Sequence, residues 1–178
     1  MPHGKTLAEK ILTDRSGGDA VAGDIIVSRV DLSFVQDTTG PLTLRLFRDA
    51  GFERLARPER TVLFMDHAAP SPQRQLSTDH VLMREFGQQC DCTVSDVGEG
   101  VCHQLVAERH ARPGDVIVGS DSHTVTAGGL GAFATGMGSS DVAVAMALGK
   151  TWFRVPETVL VWLTGELQPW VSAKDVVL

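Results

Sequence analysis

Short apolar runs, each closed by a polar pair and followed by a segment of helical spacing, recur along this chain and constrain its fold most. "TVLFMDH" (residues 61–67) and "DVIVGSD" (115–121) are the clearest. Neither alternates apolar with polar, so each reads as a strand buried on both faces, as in a parallel sheet. Parallel neighbours need a crossover, usually a helix. The intervening segments supply it. "TLAEKILTDR" reads as an opening helix, and "DTTGPLTLRLFRDAG" as a helix with proline near its start and Gly51 as its stop. "STDHVLMREFGQQ" begins with capping residues and places Val81, Leu82 and Phe86 at helical spacing. "GVCHQLVAERH" and "SSDVAVAMALGK" are further helices. "GDIIVSRVD", "CTVSDV" and "TVLVWLTG" are further strands. The expected fold class is α/β, a three-layer α/β/α arrangement around a mainly parallel sheet, with residues 1–178 forming one domain.

Composition sets bounds on function. A length of 178 residues with 43% hydrophobic and 21% charged side chains suits a packed globular core. The net charge of -6 offers no basic footprint, so nucleic acid is not an expected partner. No apolar run approaches the ~20 residues of a membrane helix, and "MPHGKTLAEKIL" has no secretory pattern. The three cysteines, Cys90, Cys92 and Cys102, read as reduced thiols of a cytoplasmic protein. Cys90 and Cys92 form C-x-C without a second pair, which argues against structural zinc. At the end of the chain, Ser172 three residues before Asp175 resembles a helix cap, and the one turn that follows suggests the front part of a longer polypeptide.

Polar clusters close the strand segments. Gln36 and Asp37 follow "IIVSRVDLSFV", Asp66 and His67 close "TVLFMDH", His103 lies in "GVCHQ" after "CTVSDV", and Asp121, Ser122 and His123 close "DVIVGSDSH". Carboxyl ends of parallel strands share one edge, where ligands bind, so the topology would gather these groups into one cleft. Histidine titrates near neutrality, and an adjacent carboxylate orients the ring and favours its charged form. Two Asp/His combinations with a third histidine suit acid–base work on a carboxylate substrate. The glycines of "TAGGLGAFATGMG" would let backbone approach closely and expose amide donors. Read singly, each piece is weaker: an Asp-His pair suits a capped turn, His103 a satisfied core position, and the glycine run tight packing. His3, His80 and His110 read as surface residues. Ser122 lies outside any G-x-S-x-G elbow, so it is a poor hydrolase nucleophile.

"GVCHQ" followed by "PGDVIVGSDSHTVTAGGLGAFATGMGSSDVAVAMALGKTWFRVPE" resembles the aconitase superfamily, and "GKTLAEKIL", "QDTTGP", "MDHAAPSP" and "GELQPWVSAKDVVL" match its opening segments in order. The resemblance covers nearly the whole chain. It implies a hydro-lyase that moves a hydroxyl between adjacent carbons of a hydroxy di- or tricarboxylic acid by dehydration and rehydration, using a [4Fe–4S] cluster. It implies catalytic roles for Asp66 and His67, which protonate the departing hydroxyl, for His103 with Asp121 as its carboxylate partner, and for His123. Ser122 and Gln36 would bind substrate. The cluster's cysteine ligands lie beyond the region covered, so no metal ligand is assigned to Cys90, Cys92 or Cys102. The catalytic base belongs to a swivel domain that in part of the family is a separate small subunit. The implied partners are thus a hydroxy-dicarboxylate substrate, the remaining large-subunit domains and that small subunit, and the chain alone would be inactive. Two rival readings stand beside it: a mononuclear zinc hydrolase with His67, His103 and His123 as ligands, and a non-catalytic scaffold.

Overall fold

The computed structural model describes residues 4–177. The chain opens with helix α1 (Leu7–Ser16), whose N-cap Thr6 forms a capping box with Glu9. Strand β1 (Ile25–Arg29) is followed directly by β2 (Leu32–Gln36), then helix α2 (Gly40–Asp49), β3 (Thr61–Phe64), α3 (Arg74–Cys90), β4 (Thr93–Ser95) and a short α4 (Cys102–Leu105). Next come β5 (Val116–Gly119), a 3-10 helix over Ser122–Leu130, β6 (Phe133–Gly136), α5 (Ser139–Leu148), β7 (Lys150–Arg154) and α6 (Ala173–Val177). Five strands form one parallel sheet in the order β4-β3-β2-β5-β6.

Alternate side chains of these strands enter different layers. Val35, Leu63 and Met65 meet Leu44 and Phe47 of α2, Met83 and Phe86 of α3, and Val142 and Met146 of α5. Leu32, Phe34, Val62, Phe64 and Ile117 pack instead with Cys102, Leu105 and Val106, and with Ala127 of the 3-10 helix. Both faces are therefore covered, which accounts for the continuous apolar runs. The result is the three-layer α/β/α fold expected from the sequence.

The chain builds β2, β3 and β4 outward, then returns to place β5 on the other side of β2. The connections thus diverge between β2 and β5, and a crevice opens at the carboxyl ends of that pair. Asp31 fastens the opposite end of the pair. Its amide donates to the Val116 carbonyl at 2.8 Å, and its carboxylate accepts from the Val116 amide at 3.0 Å and Arg15 Nε at 2.6 Å.

Several expectations fail for identifiable reasons. "GDIIVSRVD" carries one strand, as expected, but outside the parallel sheet. It holds β1, which pairs antiparallel with β7 in a separate two-stranded sheet, and the turn into β2. "TVLVWLTG" forms no strand; its residues are irregular and exposed, with Val159 at 85% and Trp162 at 79%. Its β-branched composition expresses a strand preference, but no partner strand adjoins it among the described residues. Helix α3 starts at Arg74, so Ser77 and Thr78 lie inside it rather than capping it. "GVCHQLVAERH" is helical, but its second half, Val106–His110, is a π-helical turn. The expected cap near the end is present: Asp175 accepts from the Ser172 amide and hydroxyl, both at 2.7 Å, ahead of α6.

Replacing Asp31 by alanine strands the buried Val116 amide and leaves Arg15 with Asp14 alone. Since hydrogen bonds to charged groups contribute about 1.5–3 kcal/mol, a loss of that size is expected in urea unfolding.

Candidate active site

The crevice between β2 and β5 is centred on the Asp121 carboxylate. Asp121 follows β5 and serves as N-cap of the 3-10 helix, its Oδ1 accepting from the His123 amide at 2.7 Å. Asp-Ser-His is therefore a capping sequence that also turns the carboxylate toward the sheet edge. Oδ1 faces His103 Nε2 at 3.1 Å and His123 Nδ1 at 3.4 Å. Oδ2 faces His67 Nε2 at 3.4 Å and accepts from Gln36 Nε2 at 3.2 Å. The His103 ring lies 6.1 Å from that of His67 and 5.7 Å from that of His123, centroid to centroid. Residues from the ends of β2, β3 and β5 and from α4 thus meet at one carboxylate.

Asp66 links two parts of this cluster. Its Oδ1 lies 3.0 Å from His67 Nδ1, and its Oδ2 accepts from the Cys102 amide at 2.6 Å. That amide opens α4, so Asp66 orients the His67 ring and anchors the turn bearing His103. Ser122 Oγ lies 3.3 Å from His123 Nδ1 on the exposed rim, where the His123 side chain is 76% exposed. Gln36 is buried, and its Oε1 accepts from the Thr38 amide at 2.6 Å and hydroxyl at 2.7 Å. Both ends of its carboxamide are therefore engaged within the protein.

The environments of two histidines diverge. Burial, the largest single influence, depresses His67, but its bond to Asp66 and the charges of Asp66, Asp121 and Asp37 outweigh it and raise its pKa above 6.5. Each ring nitrogen faces a carboxylate, an arrangement that suits the doubly protonated imidazolium. His103 moves the other way. Burial dominates, positive neighbours at His67 and His123 add to it, and Asp121 compensates only partly, so its pKa falls below 6.5. Burial raises Asp121, yet the His123 amide, Gln36, His103 and His67 together hold it below the usual 3.8.

Two histidines expected at the surface are not there. His80 is buried, with Nε2 2.8 Å from Asp37 Oδ2. His110 is partly covered, its ring set edge-on to Phe64 at 6.3 Å and its carbonyl accepting from Arg60 Nη1 at 2.9 Å. His3 lies outside the described residues. Asp37 belongs to the strand-end cluster with Gln36, but its sequence context assigns it no role of its own. The signal that could have raised it is a carboxylate directly after a buried strand, the same pattern as Asp66 and Asp121.

Of the glycines after β5, Gly136 bears most directly on the site. A Cβ there would collide with the Asp121 carbonyl oxygen and come within 3.1 Å of its carbon and 3.3 Å of Ser122 Cα. Gly128 and Gly129 have open space around them, so close approach explains only part of the run.

Residues 9–178 match the aconitase family (aconitate hydratase), and the chain belongs to that family. Its relatives narrow the kinship. Over the whole chain it is 52% identical to the 3-isopropylmalate dehydratase large subunit of Elusimicrobium minutum, covering 42% of that protein. Large subunit 1 of Thermotoga maritima is 52% identical, and large subunit 2 of Archaeoglobus fulgidus 54%; both alignments span 98% of this chain and 42% of the relative. The chain therefore spans 42% of the length of these relatives.

The family implies an iron–sulfur cluster, and the thiols of this chain do not fit as its ligands. Cys90 and Cys92 pack against the core of α2, α3 and α5, and burial raises both, Cys92 to about 12. Cys102 is buried beside Asp66, and burial, reinforced by the carboxylate, raises it strongly. Among the described residues no group of neighbouring donors contains more than one thiol, Cys102 standing with Asp66 and His67, whereas such clusters are held by several cysteine thiolates. The zinc reading fares differently. The donor atoms within 4.8 Å of one another belong to His67, His103 and Asp121, or to Asp66, His67 and Cys102, rather than to three histidines. No helix among the described residues is long and apolar enough to cross a membrane.

Gly136→Ala must displace Asp121 or distort β6. Overpacking costs typically about 1–3 kcal/mol. Thermal unfolding should show a loss in that range, and a crystal structure of the variant should show Asp121 withdrawn from His103.

Proposed function

We propose that this chain supplies the acid side of a hydro-lyase that isomerises a hydroxy-dicarboxylate by removing and re-adding water, with 3-isopropylmalate as substrate in leucine biosynthesis. The convergence of His67, His103 and His123 on Asp121 carries the proposal, and the names of the relatives support the substrate. The remaining large-subunit domains hold a [4Fe–4S] cluster, and a small swivel-domain subunit completes the pocket and brings the base. The protein is cytoplasmic, in keeping with three free cysteines.

In elimination, the substrate loses a proton from one carbon to the partner's base while the C–O bond of the neighbouring carbon breaks. His67, held charged between Asp66 and Asp121, gives a proton to the departing hydroxyl, which leaves as water. Asp66 keeps the ring aligned and stabilises its charge. In re-addition the two carbons exchange roles: the hydroxyl of water adds at the carbon first deprotonated, water's other proton returns to His67, and the base delivers its proton to the carbon that lost the hydroxyl. His103, held toward its neutral form, sets its Nε2 3.1 Å from Asp121 Oδ1 and flanks that carboxylate. His123 and Ser122, on the rim, meet the substrate as it enters. Gln36 reaches a substrate carboxylate by exchanging its bond to Asp121 for one to the ligand. Divergent pKa values in neighbouring titratable groups are the usual signature of such divided roles.

Assembly with the remaining domains and small subunit, followed by assays on 3-isopropylmalate, homocitrate, citrate and dimethylmalate, tests the substrate. Turnover of 3-isopropylmalate is expected; turnover of homocitrate or citrate alone would reassign the chain within the family. In that complex, His67→Ala should lower kcat by about 10²–10⁴-fold, the usual contribution of general acid catalysis. Unchanged turnover would remove His67 from the mechanism. The pH profile gives a second check. The acid works protonated, so kcat should fall as pH rises through the elevated His67 pKa. Asp66→Asn removes the charge that raises it and leaves only a neutral acceptor, so that limb should move to lower pH.

A further inference from the structure

We infer that Asp37 and His80 form a positioning pair that fixes the backbone from which the His67 ring projects. The inference rests on the acid role proposed for His67 and extends it to a buried layer behind the site. Asp37 leaves β2 immediately after Gln36 and has no solvent exposure. Its Oδ1 accepts from the His67 amide at 2.9 Å and the Ala68 amide at 3.2 Å. Its Oδ2 accepts from the Ala68 amide at 3.0 Å and faces His80 Nε2 at 2.8 Å. His80, in α3, is 5% exposed. A carboxylate only accepts, so the facing His80 nitrogen carries the proton.

Such a pair is not the cheapest way to fill this space. Burying a charge costs several kcal/mol, and apolar residues of similar volume often serve stability as well or better. What Asp37 obtains instead is direction. Two successive amides of the loop after β3 are drawn to one fixed point, and one belongs to the proposed acid. The neighbouring Gln36 fixes Asp121, which faces the far nitrogen of the same ring. The end of β2 therefore holds the backbone of His67 through Asp37 throughout, and supports its ring through Gln36 and Asp121 until substrate takes the Gln36 bond. His80 braces Asp37 from α3, so the acid is referenced to the central strand and to a helix of the opposite layer.

The test uses the complete enzyme with turnover normalised to loaded active sites. His80→Phe keeps volume and removes the donor, whereas His80→Gln keeps an N–H near the Nε2 position. Misplacement of a reacting group by an ångström can cost about 10²-fold, so His80→Phe should lower kcat by about 10–10²-fold with KM little changed. His80→Gln should recover most of the loss. Amide exchange at residues 67 and 68, followed by mass spectrometry, should quicken in His80→Phe and stay protected in His80→Gln. Wild-type kcat in His80→Phe, unchanged exchange there, or equal losses in both variants would overturn the pair. If His80→Phe does not assemble, the near-isosteric Asp37→Asn decides: quickened exchange and lowered kcat are expected, and retention of both wild-type values refutes the inference. His67→Ala run in parallel separates the two proposals. Its retaining turnover would remove the acid role, while exchange at residues 67 and 68 would still report on the pair.

Discussion

A carboxylate offers two oxygens and about four lone-pair directions, and in this protein Asp121 divides them between two hydrogen bonds and three facing imidazoles. Oδ1 takes the His123 amide and faces the rings of His103 and His123; Oδ2 takes Gln36 and faces His67. Among the described residues, no other carboxylate lies within 4 Å of all three imidazoles. The arrangement fixes their relative positions and also separates their chemistry, because one negative charge cannot support three protonated rings equally. His67, with Asp66 as a second carboxylate, keeps the proton more tightly than an ordinary histidine, and His103, with only a share of Asp121 and positive neighbours, keeps it less. Identical side chains are thus tuned in opposite directions.

The parallel sheet makes this economical. Each strand needs only one or two polar residues after its last buried position to contribute to the edge, and the crossovers bring the strands side by side without sequence proximity. Asp31 at one end of the β2–β5 pair and Asp121 at the other do related work. The first locks the pairing where the strands begin, through Val116 and Arg15, and the second collects what they carry where they finish.

The parts legible in the sequence were those encoded locally. Buried strands announce themselves by unbroken apolar runs, and Asp66-His67 and Asp121-Ser122-His123 announce themselves as polar punctuation after them. Where the sequence misled, the deciding partner lay far along the chain. His80 has the look of a helix-surface residue until Asp37, 43 positions earlier, is placed behind it. "FATG" hid β6 because its small residues merged with the glycine run, and its strand character comes from pairing with β5. "TVLVWLTG" erred in the opposite sense: its alternation and branching have no neighbour to answer them among the described residues.

The pairing of Gln36 with Asp121 spans 85 positions, and this separation has a consequence for how the protein comes into being. Loop closure over such a distance must precede the contacts that reward it, so non-local pairings form late and slowly. The strand flanking β2 on one side can dock early, but the crevice exists only after β5 has inserted on the other. The cluster of imidazoles is therefore an emergent property of the finished sheet: a chain that lacks β5 in place carries all three rings and none of their mutual geometry.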